Sequence, residues 1–355
     1  MIGVTISVID SSEDAGDGWQ YDEYRVVDGA TAADGSLEIV TIGGQDYVHA
    51  KAVGSGSYTT TDGQTNINVG KGHIDVYVIA GQSNTYASLY VDAATADPLP
   101  SPGTGYYYGT TAAPVISKTY NSSQCAMRDI VTDEGAAAIG SFWPSLCEKY
   151  VNETGHRIYL LNIGLSGQPI ATFLPGASNW AHINAAMSDA VAAIDDELFD
   201  YTPLGYVWVQ GEGDKTTPIP TYETDFVILN DKLTSGDMAL KLPRAFISKV
   251  RIAQTESISD AQIWLTQNIK DVVMGSTLPD TFTVENGLMV EDDLHYSQAG
   301  CNALGQSLAA TLAEYLPEDS TPDNKTAMDL LGLVPMLLAV GMIIMIAAVV
   351  IARRE

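Results

Sequence analysis

The sequence predicts an α/β protein built on a parallel sheet, with its chemistry gathered at one edge of that sheet. Three short apolar runs carry the prediction: IDVYVIA at 74–80, IYLLNI at 158–163 and GYVWV at 205–209. They read as strands buried on both faces, as in parallel sheets. Each is followed within two residues by a glycine, and residues 297–315 then show helical apolar spacing. A chain of 355 residues suits one large domain with accessories.

Residues 1–72 differ in texture. Short alternating runs (VTISVI, YRVV, LEIVTI, YVHAKAV, YTTT, NINV) stand between Gly, Asp and Ser turns, so a small antiparallel β-rich region is expected. It carries no catalytic constellation. Packing or assembly is the expected role, with carbohydrate contact as the alternative.

The first strand runs into GQSN at 81–84. Ser83 falls just past its C-terminal end, where ligands of open α/β sheets bind. A serine hydroxyl is a weak nucleophile and needs a base within hydrogen-bond reach. It also needs donors aimed at the developing oxyanion. Gly81 permits a tight turn and close approach of a substrate. The Ser83 N–H is a donor candidate if a helix starts there. Taken alone, the string is explained equally well by Ser83 or Asn84 capping the next helix.

The second strand leads to Gly164-Leu165-Ser166-Gly167-Gln168, where the Gly167 N–H is an oxyanion-donor candidate. The third ends in Gln210-Gly211-Glu212, with the Gln210 amide placed to donate at the same edge. For Gly167 and Gly211 an ordinary strand-to-helix turn is the commoner role. Glu212 is expected to hydrogen-bond loop backbone, because serine chemistry needs no second carboxylate. Gln82, Asn84, Gly211 and Glu212 are the candidates for supporting the site.

Of the five histidines, His49, His73, His156, His182 and His295, only His295 follows a carboxylate closely, in DDLH at 292–295. A carboxylate three residues before a histidine can fix the imidazole tautomer and stabilise the imidazolium. Asp292 fits that spacing better than Asp293. In so acidic a chain, a solvated loop with a chance histidine is the competing account.

Together these strings resemble the SGNH hydrolases, and within them the sialate O-acetylesterase-like carbohydrate esterases. The shared blocks are GQSN, SGQPI at 166–170, W-x-QGE-x-D and D-x-x-H, in order over residues 73–317. The resemblance implies a three-layer α/β/α sandwich. It implies Ser83 as nucleophile, His295 as base, Asp292 as orienter, and Gly167 and Gln210 as oxyanion donors. Two departures stand out. Ser166 replaces a glycine usual in the second block, and Thr85 replaces the Met that often follows GQSN. The first is expected to reshape the oxyanion loop, the second to alter packing or the acyl pocket.

The formal net charge is −27, with only 17 basic residues, which argues against a nucleic-acid partner. Asp outnumbers Glu about two to one. That composition suits strong salt, where self-repulsion is screened, and points to a halophilic source. An ordinary acidic secreted protein is the alternative. Cys125, Cys147 and Cys301 allow at most one internal disulfide. No Cys/His cluster has metal-ligand spacing, so neither metal nor other cofactor is expected.

Residues 330–352 are 23 consecutive uncharged, mostly apolar residues. A helix of that length spans roughly 34 Å, enough for a bilayer core. Polar residues 318–329 precede it as a linker, and Arg353-Arg354 follow. The positive-inside rule puts residues 353–355 in the cytoplasm and residues 1–329 outside. Sequons at Asn121, Asn152 and Asn324 are compatible with that. The N-terminal MIGVTISVID shows no signal peptide, which leaves another export route or delivery within a virion. Gly332 and Gly341 offer close helix packing, so a homo-oligomer or surface assembly is expected, with lipid-facing glycines as the alternative.

Two functions follow. The first is a membrane-anchored, outward-facing esterase acting on acetylated surface glycans. The second is a surface or virion structural protein that keeps the esterase fold with weak or no activity.

Overall fold

A computed structural model describes residues 19–27, 29–85, 98–109, 125–132, 141–177, 179–196 and 198–317. The fold and the site lie in the compact unit that ends at Glu314.

The N-terminal strands are β1 (Trp19–Gln20), β2 (Tyr24–Val26), β3 (Ala32–Gly35), β4 (Leu37–Ile42), β5 (Gln45–Ala50), β6 (Gly54–Thr60) and β7 (Gly63–Gly70). They form two small sheets, ordered β1-β7-β6-β3 and β2-β5-β4. Alternation explains the packing: Trp19, Leu37, Val48, Ala50 and Val69 turn inward to a satellite core. Most of the strands pair antiparallel, as expected, but β1 runs parallel to β7.

The central sheet comprises β8 (Gly72–Gly81), β9 (Gly105–Gly109), β10 (Ala126–Asp129), β11 (Arg157–Asn162), β12 (Phe199–Val209), β13 (Ala245–Ser248) and β14 (Val272–Ser276). Its order is β10-β9-β11-β8-β12-β13-β14. Strands β9, β11, β8, β12, β13 and β14 are parallel. The all-parallel expectation needs one correction: edge strand β10 runs antiparallel to β9. Its sequence AMRD has no apolar run, as suits an edge.

The helices are α1 (Trp143–Thr154), α2 (Trp180–Asp196), α3 (Ile219–Thr234), α4 (Ile252–Asn268) and α5 (Gln298–Glu314). Ile74, Val76, Val78 and Ala80 of β8 share one core with Ile183 of α2, Phe226 of α3 and Leu265 of α4. Tyr77, on the opposite face, meets Tyr150 of α1 edge-on, and α1 packs along α5. The result is three layers, with α1 and α5 on one face and α2, α3 and α4 on the other.

Strand β12 is longer than its apolar run foretells. Its first half, Phe199–Pro203, pairs with Gly72–Val76, and a bulge between Pro203 and Gly205 absorbs the proline. No helix among the described residues is long and apolar enough to cross a membrane. Residues 318–355, and with them the 330–352 segment and Asn324, lie outside the described residues, as does Asn121.

Candidate active site

Parallel strands β8 and β12 end side by side, and the first turn is built on that. Gly81 has φ +137°, and a Cβ there would stand 2.0 Å from the Val209 carbonyl oxygen. Only glycine lets the chain leave β8 this close to its neighbour. The Gln82 N–H then donates to Val209 O (2.9 Å). Ser83–Thr85 form a single 3₁₀ turn. The Thr85 N–H and hydroxyl close it on Gln82 O at 2.8 and 2.6 Å. Outside the turn, Trp143 Nε1–H donates to Thr85 O (3.1 Å), and Gly213 N–H donates to Gln82 Oε1 (2.8 Å).

The loop before α5 brings the histidine. Asp292 Oδ1 accepts the N–H groups of Leu294 and His295, both at 2.9 Å. Its other oxygen accepts His295 Nδ1–H at 2.6 Å. The Ser83 hydroxyl then faces His295 Nε2 at 2.9 Å. Ser83 is 4% exposed and His295 8%. Burial works against the Asp292 carboxylate, but the bonds from His295 and Leu294 outweigh it and hold its pKa below the ordinary value. Asp293 turns away at φ +54°, where Arg251 takes its carboxylate at 2.5 and 3.1 Å and its carbonyl at 3.1 Å.

Asn84 lies between the two loops. Its amide donates to Glu212 Oε1 (2.9 Å) and Leu294 O (3.3 Å), and its oxygen accepts Tyr296 N–H (3.3 Å). Glu212 therefore bonds the Asn84 side chain in addition to the loop backbone expected of it, here its own backbone N–H. Burial pushes its carboxyl pKa up, against the pull of its own backbone N–H, Asn84 and His295, and its second oxygen has no partner among the described residues.

Gln210 follows β12 directly and is 1% exposed. Its amide is engaged: Nε2 donates to the Asp214 carboxylate and to Gln168 O (3.3 Å). Asp214 also accepts Ile170 N–H (2.7 Å) and the Thr217 hydroxyl (2.7 Å), so it ties the two turns together. Gln262 of α4 donates to Gln210 O (2.7 Å). Gly167 is exposed, with nothing within 4 Å of where a Cβ would stand. Its loop is pinned to β8 by Leu165 N–H on Gly81 O (2.8 Å). Gly211 fits against Val250 and Ile258, which a Cβ would approach to 3.0 and 2.9 Å.

Thr85, fully buried, packs on Gly164, whose Cβ would meet its hydroxyl at 2.1 Å. Ser166 is exposed. Asp214, Arg251 and Gln262 were missed in the sequence. For Asp214 a signal existed, since it is the Asp of W-x-QGE-x-D; Arg251 and Gln262 stand in no motif. Among the described residues, no group of three His, Cys, Asp or Glu is placed to hold a metal.

The site can activate a hydroxyl through an oriented imidazole. A family model described as "Carbohydrate esterase, sialic acid-specific acetylesterase" matches residues 73–314, more than half of the chain. No curated protein matches. Among solved structures, the chain is similar to NanS, at 12% identity over 69% of this chain and 98% of that one, with a TM-score of 0.47. It is similar to a carbohydrate acetylesterase from Xanthomonas citri at 12% identity, covering 83% and 71% of the chains, with a TM-score of 0.42. A protein from Arabidopsis thaliana matches at 14% identity over 69% and 100%, with a TM-score of 0.45.

Proposed function

The chain belongs to the sialic acid-specific acetylesterase family of carbohydrate esterases and is a carboxylic ester hydrolase; on that footing we propose that it removes O-acetyl groups from surface glycans by a Ser-His-Asp mechanism. The observation that carries this reading is the unbroken relay from Ser83 Oγ through His295 to Asp292, at 2.9 and 2.6 Å.

His295 Nε2 takes the Ser83 proton as Oγ attacks the acetyl carbonyl, and returns it to the departing sugar hydroxyl. Asp292 keeps the ring in the tautomer with Nδ1–H and offsets the imidazolium charge. Water then attacks the acetyl-serine, with His295 again as base, releasing acetate. The N–H groups of Ser83 and Gly167 receive the oxyanion. Gln210 joins them when the negatively charged oxygen displaces neutral Gln168 O from its 3.3 Å bond.

The hydrolase is tethered by residues 330–352 and faces away from the cytoplasm, a reading supported by the length of that apolar run and by Arg353-Arg354. The glycines at 332 and 341 support self-association of the tether. The test is acetate release from an O-acetylated sialoglycan by the full chain in detergent. Wild type should release acetate, and Ser83→Ala should abolish release with its melting curve unchanged. Undiminished release by that variant rejects the mechanism.

A further inference from the structure

The Ser83–His295 contact joins two segments that no strand pairing holds together. Asp292 sets the rotation of the ring, but it sits in the same loop as His295 and so cannot fix where that loop stands relative to β8. Arg251 ties the loop through Asp293 to the segment just past β13, and the contacts that set it against the end of β8 come from Asn84. Its amide reaches Leu294 O and Tyr296 N–H, the backbone groups on either side of His295, both at 3.3 Å. Its remaining N–H is anchored on Glu212 Oε1 at 2.9 Å. The side chain is 6% exposed, so water competes weakly for these bonds. Oxygen and both amide hydrogens are thus all used, which only a carboxamide of this length can do.

Resting on the esterase reading above, we propose that Asn84 is the positioning residue of the catalytic base, clamping the peptide on both sides of His295 and itself held by Glu212. Misplacing a catalytic group by about 1 Å can cost on the order of 10²-fold in rate, which is the scale of effect at stake.

Substitution separates the parts. Asn84→Ala removes the whole clamp. Asn84→Asp keeps the acceptor for Tyr296 but loses both donors and sets a carboxylate against Glu212 and Leu294 O. Glu212→Ala removes the anchor, whereas Glu212→Gln still offers Asn84 an oxygen. With 4-nitrophenyl acetate, Asn84→Ala, Asn84→Asp and Glu212→Ala should each lose about 30-fold or more in kcat, with KM within about threefold. The rate of Ser83 phosphonylation by a fluorophosphonate should fall in parallel. Glu212→Gln should lose markedly less than Glu212→Ala. The double variant Asn84→Ala/Glu212→Ala should be no worse than Asn84→Ala, as expected for one coupled unit.

The clamp is overturned if Asn84→Ala or Asn84→Asp keeps kcat within about threefold of wild type, or if the losses fall on KM while the phosphonylation rate holds. If Ser83→Ala is inert and Asn84→Ala is fully active, only this inference fails. If Ser83→Ala still turns over, the esterase mechanism fails with it.

Discussion

His295 Nε2 stands 2.9 Å from Ser83 Oγ, although 212 residues separate them in the chain. The contact is made where β8 ends and where the loop before α5 returns to the same edge of the sheet. Two adjacent aspartates enter that loop, and they divide the work. Asp292 faces the ring, while Asp293 faces Arg251.

That division gives neighbouring substitutions opposite outcomes. Asp292→Asn should lower kcat by about 10³-fold or more, because an amide at Nδ1 favours the wrong imidazole tautomer. Asp293→Asn should cost less than about tenfold. Asparagine tolerates the φ of +54° and keeps an oxygen for Arg251, the Arg251 bond to the residue-293 carbonyl is untouched, and the half-exposed Asp293 carboxylate leaves its charge partly screened. Steady-state kinetics on acetyl esters decide it; equal losses in the two variants would contradict the assignment of Asp292.

Gln210 presents a sharper question, because its amide hydrogens are already bonded. As an oxyanion donor it must exchange Gln168 O for the acyl oxygen as charge develops. Gln210→Ala should then cost about 10²- to 10³-fold in kcat while KM changes little. A loss under threefold would mean that Gln210 only braces the two turns. Asp214→Asn should fall between these, since it loosens the bracing while leaving the amide present.

The strings that meet at the candidate site were legible in the sequence because strand ends and polar side chains coincide there. GQSN, QGE and D-x-x-H each follow or precede an apolar run whose period gives the element away. The first half of β12 was not legible, since Thr202 and Pro203 interrupt its pattern and only pairing with β8 makes it a strand. Edge strand β10 has no pattern to read. Arg251 stands at the N-cap of α4, yet it pairs with Asp293, 42 positions on. Such long-range pairs leave no local trace. The engagement of Gln210 with Asp214 was hidden differently: both residues lie in one recognised block, but spacing alone does not say which of its polar groups satisfy each other.

Gly81 carries a stability prediction. Both its φ of +137° and the 2.0 Å approach to Val209 O exclude a Cβ. Gly81→Ala should destabilise by about 3 kcal/mol or more, since neither backbone strand can yield without breaking the sheet. Urea unfolding of the variant checks this; a midpoint equal to wild type would mean that the β8 and β12 ends have freedom to part.

The last prediction concerns pH and lies away from the active site. His49 Nε2–H donates to Asp22 (2.7 Å) and Nδ1–H to Glu38 (2.9 Å), and the ring stacks on Tyr24 at 4.1 Å. Lys51, 3.7 Å from Glu38, adds a positive charge at this cluster, and Asp129 lies near enough to Asp22 to feel its charge. Asp22 also accepts the hydroxyl of Tyr106 on β9, so it is Asp22 that carries the link from the imidazole to the central sheet. Burial opposes the imidazolium most strongly as a single effect, but the bonds and charges of the two carboxylates together outweigh it and raise the pKa above 6.5. A raised folded-state value means that the stabilisation is full below pH 6.5 and is lost as pH climbs through the folded-state pKa. His49→Gln keeps a hydrogen-bonding side chain without the charge. The gap in urea midpoint between wild type and His49→Gln should therefore be widest below pH 6.5 and should close on the alkaline side. A gap that stays constant across that range would show that the ring serves by packing on Tyr24 and not by its charge.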